Sequence, residues 1–397
     1  MVTRALVVVA VLAGCGDNIA PPIDASTVFM EAMPGSDAIP QVIDSGGPTF
    51  AAPVVQPIFF ANEADVQPYV EGFLPQLASS SFWTAVGAEY GVGPFTVMPS
   101  IVSSDAVPTT DPEMQQYLAT QLDGMHMGWP LADPQSTIYL VMLPAGQMFQ
   151  GACTTFAGYH FENTNGGGAI DFSYAVIANC GAASTDVTAL DEVTATISHE
   201  LIEASTDPKP RTMPAYSATD HTHLAWTFEA GSEVADMCEW TVDAQQRLVG
   251  TYLVQRSWSN AAALAGHDPC VPASAGPYIN AAPVLGDVSV PLSNGTAITA
   301  IGVAIPTGMS QQIDLHLFSD APSDAWNISV IDGAQLLRNP VTLAIEYGRT
   351  TTGSNGDTVS IVVRRERPDP NGSTLFVESQ PADDPTRIAG FWWIYVQ

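Results

Sequence analysis

Residues 194–208 read T-A-T-I-S-H-E-L-I-E-A-S-T-D-P and contain the pattern H-E-x-x-E. Residues four apart lie on one face of a helix, so His199 and Glu203 point the same way, while Glu200 projects about 100° around the axis. An imidazole and a carboxylate one turn apart can hold a divalent metal ion, and a second carboxylate beside them can take a proton. This is the arrangement of the H-E-x-x-H zinc helix with Glu as the second ligand. The alternative is an exposed acidic helix face, because acidic helices produce this pattern by chance.

A second acidic segment follows in residues 228–240, which read F-E-A-G-S-E-V-A-D-M-C-E-W. Glu233 and Asp236 are three residues apart and would share one face of a helix. A third ligand from a downstream segment completes the site of Glu-type zinc peptidases, so both acids are predicted metal ligands beside His199 and Glu203. The alternative is that they are solvated acids near a helix start, where the helix dipole favours negative charge.

The first residues have the features of an exported lipoprotein. Arg4 precedes the apolar run of residues 5–12, which is too short to span a bilayer and is typical of a signal peptide. The following L-A-G-C resembles the bacterial lipobox, which predicts cleavage after residue 14 and lipidation of Cys15. An ordinary signal peptide with an incidental cysteine is the alternative. The predicted location is the cell envelope, with a lipid anchor in the outer membrane or at the cell surface.

Composition divides the rest of the chain into three regions. Residues 15–53 are rich in Pro, Ala, Asp, Ser and Gly and lack apolar periodicity, which predicts a disordered tether. Residues 54–275 mix strand and helix patterns and predict an α/β (α+β) layered domain. Residues 277–397 contain about seven short alternating strands separated by turn signals, which predicts an all-β immunoglobulin-like sandwich.

Patterns within the α/β region locate its elements. The predicted elements are helices over residues 63–77, 80–90 and 111–122, a fourth helix from about residue 190, and strands over 54–61, 136–143 and 169–178. In the sandwich, Trp326, Trp392 and Trp393 are interpreted as core residues, because aromatic side chains normally fill such cores. A carbohydrate-stacking face is the alternative.

The charge balance of the chain disfavours two classes of partner. Forty-one acidic residues stand against 11 basic ones, for a net charge of −30, and no Lys or Arg lies between Arg4 and Lys209. Nucleic acid and anionic lipid headgroups are therefore poor partners. Such a surface suits divalent cations or cationic partners, or simply keeps the protein in solution.

Four cysteines besides Cys15 predict two disulfides in an oxidising compartment. Three connectivities are possible, and pairing of nearest neighbours, Cys153 with Cys180 and Cys238 with Cys270, is preferred. The alternative, zinc thiolate ligation, lacks the C-x-x-C spacing of such sites.

Several blocks of the region 54–270 resemble the Exordium family of plants, also called phosphate-induced proteins, and its bacterial relatives. Residues 81–90 look like that family's Trp-containing helix, residues 136–143 like its I-Y-L-V-L-T strand, and residues 153–160, C-T-T-F-A-G-Y-H, like its Cys–Gly–His block. The H-E segment is similar to H-E-L-A-E-x-x-T-N-P, and S-E-V-A-D-M-C to E-I-A-D-L-C. Asp207 replaces the usual Asn, and the extra cysteines of the plant proteins are reduced to Cys180.

The resemblance implies one common site for the acidic and histidine residues, although the family brings no settled reaction. The members of this site are His199, Glu200, Glu203, Glu233 and Asp236. His160 joins them as a group that orients a ligand, or as an alternative ligand. The competing interpretation of His160 is a core histidine with satisfied hydrogen bonds.

The predicted function is a zinc-dependent, peptidase-like hydrolase with a zincin-like domain. His199 and Glu203 hold Zn²⁺ with Glu233 or Asp236, and Glu200 is the catalytic base. These donors are harder than the usual zinc ligands, so Ca²⁺ or Mn²⁺ is an alternative ion. A further alternative is that the metal has a structural role and no catalytic one. The alternative function is a non-catalytic surface protein that binds peptide or polysaccharide polymers of the envelope or its surroundings. A structural, adhesin-like lipoprotein is a third.

Overall fold

The chain is described by a computed structural model. It covers residues 39–61, 65–164, 170–182, 187–229, 231–239, 245–248, 251–291, 296–336, 339–369 and 372–397. The predicted signal peptide, Cys15 and residues 15–38 of the predicted tether lie outside the described residues.

A six-stranded sheet forms the centre of the first half of the chain. Its strands are β1 (Val54–Phe60), β2 (Thr96–Val97), β3 (Ile101–Ser103), β4 (Thr137–Leu143), β5 (Gly158–Glu162) and β6 (Ser173–Ala178). The order is β2–β1–β4–β6–β5, and β3 also pairs with β1. Among these described strands, all neighbouring pairs are parallel except β5 and β6, and β5 lies at the edge of the sheet. Every residue of β4 and β6 is buried, as expected for strands covered on both faces.

Helices cover both faces of this sheet. They are α1 (Val66–Ala78), α2 (Ser81–Gly87), α3 (Asp111–Gln121) and α4 (Ala189–Thr206). Side chains alternate along β1, so that Val55 and Phe59 face the core that contains α1, α2 and α4. Ile58 and Phe60 face the opposite core, which contains α3. The result is a mixed α/β domain of three layers. Its four helices and the strands β1, β4 and β6 occupy the predicted regions, whereas β2, β3 and β5 are not among the predicted elements.

Residues 39–53 belong to this folded domain, so the prediction of a disordered tether up to residue 53 is wrong for this part. Val42 and Phe50 are buried. The backbone of Val42 exchanges two hydrogen bonds with the side chain of Asn260, at 2.8 and 2.7 Å. Contacts with residues this distant in sequence leave no local periodicity, which explains why composition alone suggested a linker.

Short elements connect the α/β domain to the second half of the chain. They are α5 (Leu224–Glu229), β7 (Gln245–Leu248), β8 (Tyr252–Gln255), β9 (Ser257–Trp258), α6 (Asn260–Leu264) and β10 (Cys270–Val271). The β7–β8 and β9–β10 pairs are both antiparallel.

The second half of the chain is built from antiparallel sheets in a sandwich-like arrangement. Its elements are β11 (Ile279–Pro283), β12 (Gly286–Pro291), β13 (Ala297–Gly302), β14 (Ser310–Ser319), β15 (Trp326–Asp332), α7 (Gly333–Leu336), β16 (Leu343–Tyr347), β17 (Thr350–Gly353), β18 (Thr358–Arg365), β19 (Ser373–Pro381) and β20 (Gly390–Val396). One sheet has the order β11–β14–β18–β16 and the other β17–β15–β19–β20, while β12 and β13 form a separate hairpin. Burial alternates along β15, as it does when one face of a strand packs on a core.

Tryptophan side chains fill the core of this half and its contact with the α/β domain. Trp326, Trp392 and Trp393 are each 1% exposed, which confirms the core interpretation over a carbohydrate-stacking face. Trp226 of α5 packs its ring 4.8 Å from that of Phe391 and 6.1 Å from that of Trp392. One hydrophobic core therefore runs through both halves.

Trp226→Ala should lower the free energy of unfolding by about 3–5 kcal/mol, because it removes a large, fully buried side chain from this shared core. Urea denaturation followed by circular dichroism measures the loss. Phe228→Ala is the matched control, since Phe228 lies on the same helix and is 48% exposed, and we expect a much smaller change there. Equal losses in the two variants would contradict the shared core.

Candidate metal centre

Helix α4 begins at Ala189, close to the predicted residue 190, and local sequence features account for both of its ends. The hydroxyl of Thr188 accepts a hydrogen bond from the backbone N–H of Asp191, whose carboxylate accepts one from the backbone N–H of Thr188. This reciprocal cap fixes the start of the helix. Pro208 lies two residues beyond its last residue, Thr206, and cannot extend the backbone hydrogen-bond ladder. The helix therefore holds the H-E-x-x-E residues in fixed positions.

The structure brings the six predicted site residues together around one cavity of about 320 Å³. These residues are His160 from β5, His199, Glu200 and Glu203 from α4, and Glu233 and Asp236 from the segment before β7. Sequence reasoning missed Glu239, which also lines the cavity. The signal that could have found it is spacing, because Glu239 stands three residues after Asp236, as Asp236 does after Glu233.

Glu203 lies at the centre of this cluster and is 2% exposed. Its Oε2 atom is 3.1 Å from Nε2 of His199, which is in turn 3.3 Å from Oδ1 of Asp236. Its other oxygen, Oε1, accepts hydrogen bonds from the backbone N–H groups of Ala235 and Asp236, at 3.1 and 3.0 Å. The downstream segment therefore fixes the orientation of the Glu203 carboxylate.

The segment that carries Glu233 and Asp236 is not an α-helix, in contrast to the shared helical face that the sequence predicts. Only Asp236–Cys238 form a short 3-10 turn. Gly231, before it, has a φ of +77°, and a Cβ there would lie 2.2 Å from Oδ2 of Asp236. As a result, the two acids contact different imidazoles, Asp236 that of His199 and Glu233 that of His160.

His160 contacts the cluster through both of its ring nitrogens. Nδ1 is 3.5 Å from Oε2 of Glu200 and 3.7 Å from Oε2 of Glu203. Nε2 is 3.6 Å from Oε1 of Glu233 and has no hydrogen-bond partner among the described residues, although it is buried. This unsatisfied nitrogen at the cavity is available to a ligand.

The close approach of β5 to α4 depends on Gly158. A Cβ atom at this position would lie 2.5 Å from Cγ2 of Thr196 and 2.9 Å from Oε1 of Glu200. Any larger residue would push the edge strand away from the helix and move His160, two residues along the strand, out of contact with the cluster.

We expect Gly158→Ala to lower the affinity for metal by roughly 10-fold or more. Substitutions of groups that orient metal ligands typically lower this affinity by about 10–100-fold, and we take the lower end of that range as the minimum. Competition for zinc with a chromophoric chelator measures the affinity. Gly286→Ala is the control, because Gly286 also lies on a strand and nothing lies within 4 Å of the added Cβ. If both variants bind zinc as the wild type does, β5 does not position the site.

Two disulfides anchor the segments that supply the site. They join Cys153 to Cys180 and Cys238 to Cys270, which confirms the predicted nearest-neighbour pairing. The first ties the loop before β5 to the end of β6, and the second holds the segment of Asp236 against β10. The pairs indicate an oxidising, exported environment. Among the residues that the structure describes, no helix combines the length and apolarity needed to cross a membrane.

The carboxylates of the cavity favour protonation of both histidines. Burial opposes the charge on His160, but Glu233, Glu200 and Glu203 together outweigh it and raise its pKa to about 10. Burial likewise opposes the charge on His199, yet Glu203 and Asp236 raise its pKa well above the usual value. Burial is also the main cause that raises the pKa of Glu233 and Asp236. The cavity thus attracts positive charge, and a metal ion would compete with protons there.

The donors fit a divalent metal ion. His199, Glu203 and Asp236 each offer one ligand atom, and these atoms lie within 4.8 Å of one another. His160, Glu203 and Glu233 form a second group that meets the same limit. Imidazole nitrogen and carboxylate oxygen are donors that both Zn²⁺ and Mn²⁺ accept in proteins.

Comparisons with known proteins add little to this geometry. No family model and no curated protein matches the chain. Among solved structures, the chain is similar to WR4, a C. elegans MSP family member, at 13% identity and a TM-score of 0.19, over 24% of this chain and 89% of that one. It is also similar to SSP-19, an MSP-domain protein like family member in Caenorhabditis elegans, at 17% identity and a TM-score of 0.19, over 24% and 91%.

Proposed function

We propose that this protein is a zinc-dependent, peptidase-like hydrolase of the cell envelope. The observation that carries the proposal is the convergence of three donors from two distant segments. Nε2 of His199 lies 3.1 Å from the carboxylate of Glu203 and 3.3 Å from that of Asp236. A helix that carries a histidine and a carboxylate one turn apart, completed by a downstream acid, supports a zincin-like first domain.

In this proposal His199, Glu203 and Asp236 hold the zinc ion. When bound, the ion supplies Lewis acidity that polarises a substrate carbonyl and makes water nucleophilic at neutral pH. Glu203 is held in place by the backbone N–H groups of Ala235 and Asp236, so its position does not depend on the ion. Ligands that are positioned before the ion binds lose little conformational freedom on binding it.

Glu200 is the proposed catalytic base. Its side chain lines the cavity beside the ligands and is only 6% exposed, so bulk water does not compete strongly for its carboxylate. The carboxylate takes a proton as the oxygen of water bonds to the carbonyl carbon. It then delivers that proton to the amine nitrogen as the carbon–nitrogen bond breaks.

The remaining parts of the chain place this site outside the cell in our proposal. Lipid on Cys15 attaches the chain to the membrane, and residues 15–38 act as the spacer. The antiparallel sheets of residues 277–397 form an immunoglobulin-like sandwich that supports the α/β domain through the contact of Trp226 with Phe391. Peptide segments of envelope or extracellular proteins are the proposed substrates.

Digestion of a peptide mixture, read by mass spectrometry, tests this function. Protein that has been dialysed against zinc should generate new peptide termini. The products should disappear after treatment with a chelator and return when zinc is restored. If the protein binds zinc stoichiometrically and cleaves no peptide, the hydrolase proposal fails, and a surface protein that binds polymers becomes the better interpretation.

A further inference from the structure

The cavity contains more donors than one metal ion needs. His199 contacts Asp236 and His160 contacts Glu233, each through an imidazole nitrogen and a carboxylate oxygen, and both imidazoles also contact Glu203. We propose that Glu203 bridges two divalent cations, one held by His199 and Asp236 and the other by His160 and Glu233. This inference rests on the proposed metal-dependent function and extends it to a two-ion centre.

The two oxygens of Glu203 have separate roles that suit a bridge. Oε1 accepts two backbone hydrogen bonds and is therefore turned toward the protein. Oε2 faces both histidines, at 3.1 Å from Nε2 of His199 and 3.7 Å from Nδ1 of His160. Glu203 also belongs to both groups of possible metal ligands, with His199 and Asp236 in one and with His160 and Glu233 in the other, and within each group the ligand atoms lie within 4.8 Å of one another.

His160 provides an independent indication of a ligand. It is 8% exposed, and its Nε2 has no hydrogen-bond partner among the described residues. Folded proteins rarely leave a buried polar nitrogen without a partner, because its lost hydration is then uncompensated. Nδ1 faces Oε2 of Glu200 at 3.5 Å, the usual arrangement for a metal-ligating histidine that donates its other N–H to a carboxylate. Nε2, toward Glu233, is then free to bind an ion.

The charge of the cavity agrees with two ions. Glu200, Glu203, Glu233, Asp236 and Glu239 all line it, and no Lys or Arg is present among the described lining residues. One divalent cation would offset the charge of two of these five carboxylates, whereas two would offset four. Centres with two ions about 3.5–4 Å apart are known in aminopeptidases and phosphatases, where the ions together hold the attacking and leaving atoms.

Metal stoichiometry tests the proposal without any assay of activity. After equilibrium dialysis of the full exported chain against zinc, elemental analysis should give two zinc ions per chain. His160→Gln and, separately, Glu233→Gln should each bind one, since both keep the side-chain volume but weaken the second position. His223→Gln is the control and should bind two, because His223 is buried outside the cavity and contacts Asp220.

A second readout needs no variant. In wild-type protein loaded with manganese, electron paramagnetic resonance should show the exchange-coupled spectrum of a pair of ions. One zinc ion per chain, with the spectrum of isolated manganese, would overturn the two-ion centre and leave the proposed hydrolase intact. Absence of bound metal would overturn both, so the two failures are distinguishable. Two zinc ions in both His160→Gln and Glu233→Gln would also reject this assignment of the second position.

Discussion

Glu203→Gln should remove zinc from the protein while leaving its fold in place. The amide oxygen of Gln can still accept the hydrogen bonds from Ala235 and Asp236, so the downstream segment keeps its anchor. The substitution removes the negative oxygen beside His199. Loss of a group that only orients a metal ligand lowers the affinity for metal by about 10–100-fold. We therefore expect loss of Glu203, a ligand itself, to lower the affinity for zinc by at least about 100-fold.

Isothermal titration with zinc measures this loss, and circular dichroism confirms that the variant is folded. Glu162→Gln is a closely matched control. Glu162 is also 2% exposed and accepts hydrogen bonds from two backbone N–H groups, those of Arg211 and Thr212, but it lies outside the cavity. Undiminished zinc binding by Glu203→Gln, or equal loss in both variants, would show that Glu203 is not a ligand.

Glu200→Gln should abolish peptide cleavage without releasing zinc. Gln cannot take a proton from water, and the loss of a general base lowers kcat by about 10²–10⁴-fold. The Gln oxygen can still accept a hydrogen bond from Nδ1 of His160, so the ligands keep their positions. Cleavage kinetics on the best peptide substrate, together with elemental analysis of the same sample, separate the two effects.

Glu192→Gln serves as the control for this variant, because Glu192 lies in the first turn of the same helix and does not line the cavity. We expect it to cleave peptides at the wild-type rate. Parallel loss of cleavage and zinc in Glu200→Gln would show that Glu200 has a structural role or is itself a ligand, and that the proton is transferred by another group.

The sequence predicts helix α4 and its contents well because the relevant interactions are local. Thr188 and Asp191 cap the helix within one turn, and the four-residue spacing alone places His199 and Glu203 on one face. The sequence predicts that Glu233 and Asp236 are partners of this helix, but it does not predict that each acid contacts a different histidine. Glu233 and Asp236 depart from a helical arrangement because Gly231 and the Cys238–Cys270 disulfide shape the segment, and neither effect is readable from spacing.

The position of His160 depends on long-range pairing that no local pattern reveals. Strand β5 has five residues and, among the described strands, pairs with β6 alone, in antiparallel register. The same limit applies to residues 39–53, whose order depends on distant groups such as Asn260. In the second half, the alternation that predicts a sandwich is present in strands such as β15, whereas the fully buried β11 and the short polar β17 lack it.

Anomalous diffraction at the zinc absorption edge tests the central claim most directly. In crystals grown with zinc, the account predicts an anomalous peak inside the cavity, at about 2.0–2.2 Å from Nε2 of His199 and from a carboxylate oxygen of Glu203. A cavity without such a peak, in which the imidazole of residue 199 remains paired only with its neighbouring carboxylates, would contradict a metal centre at this position.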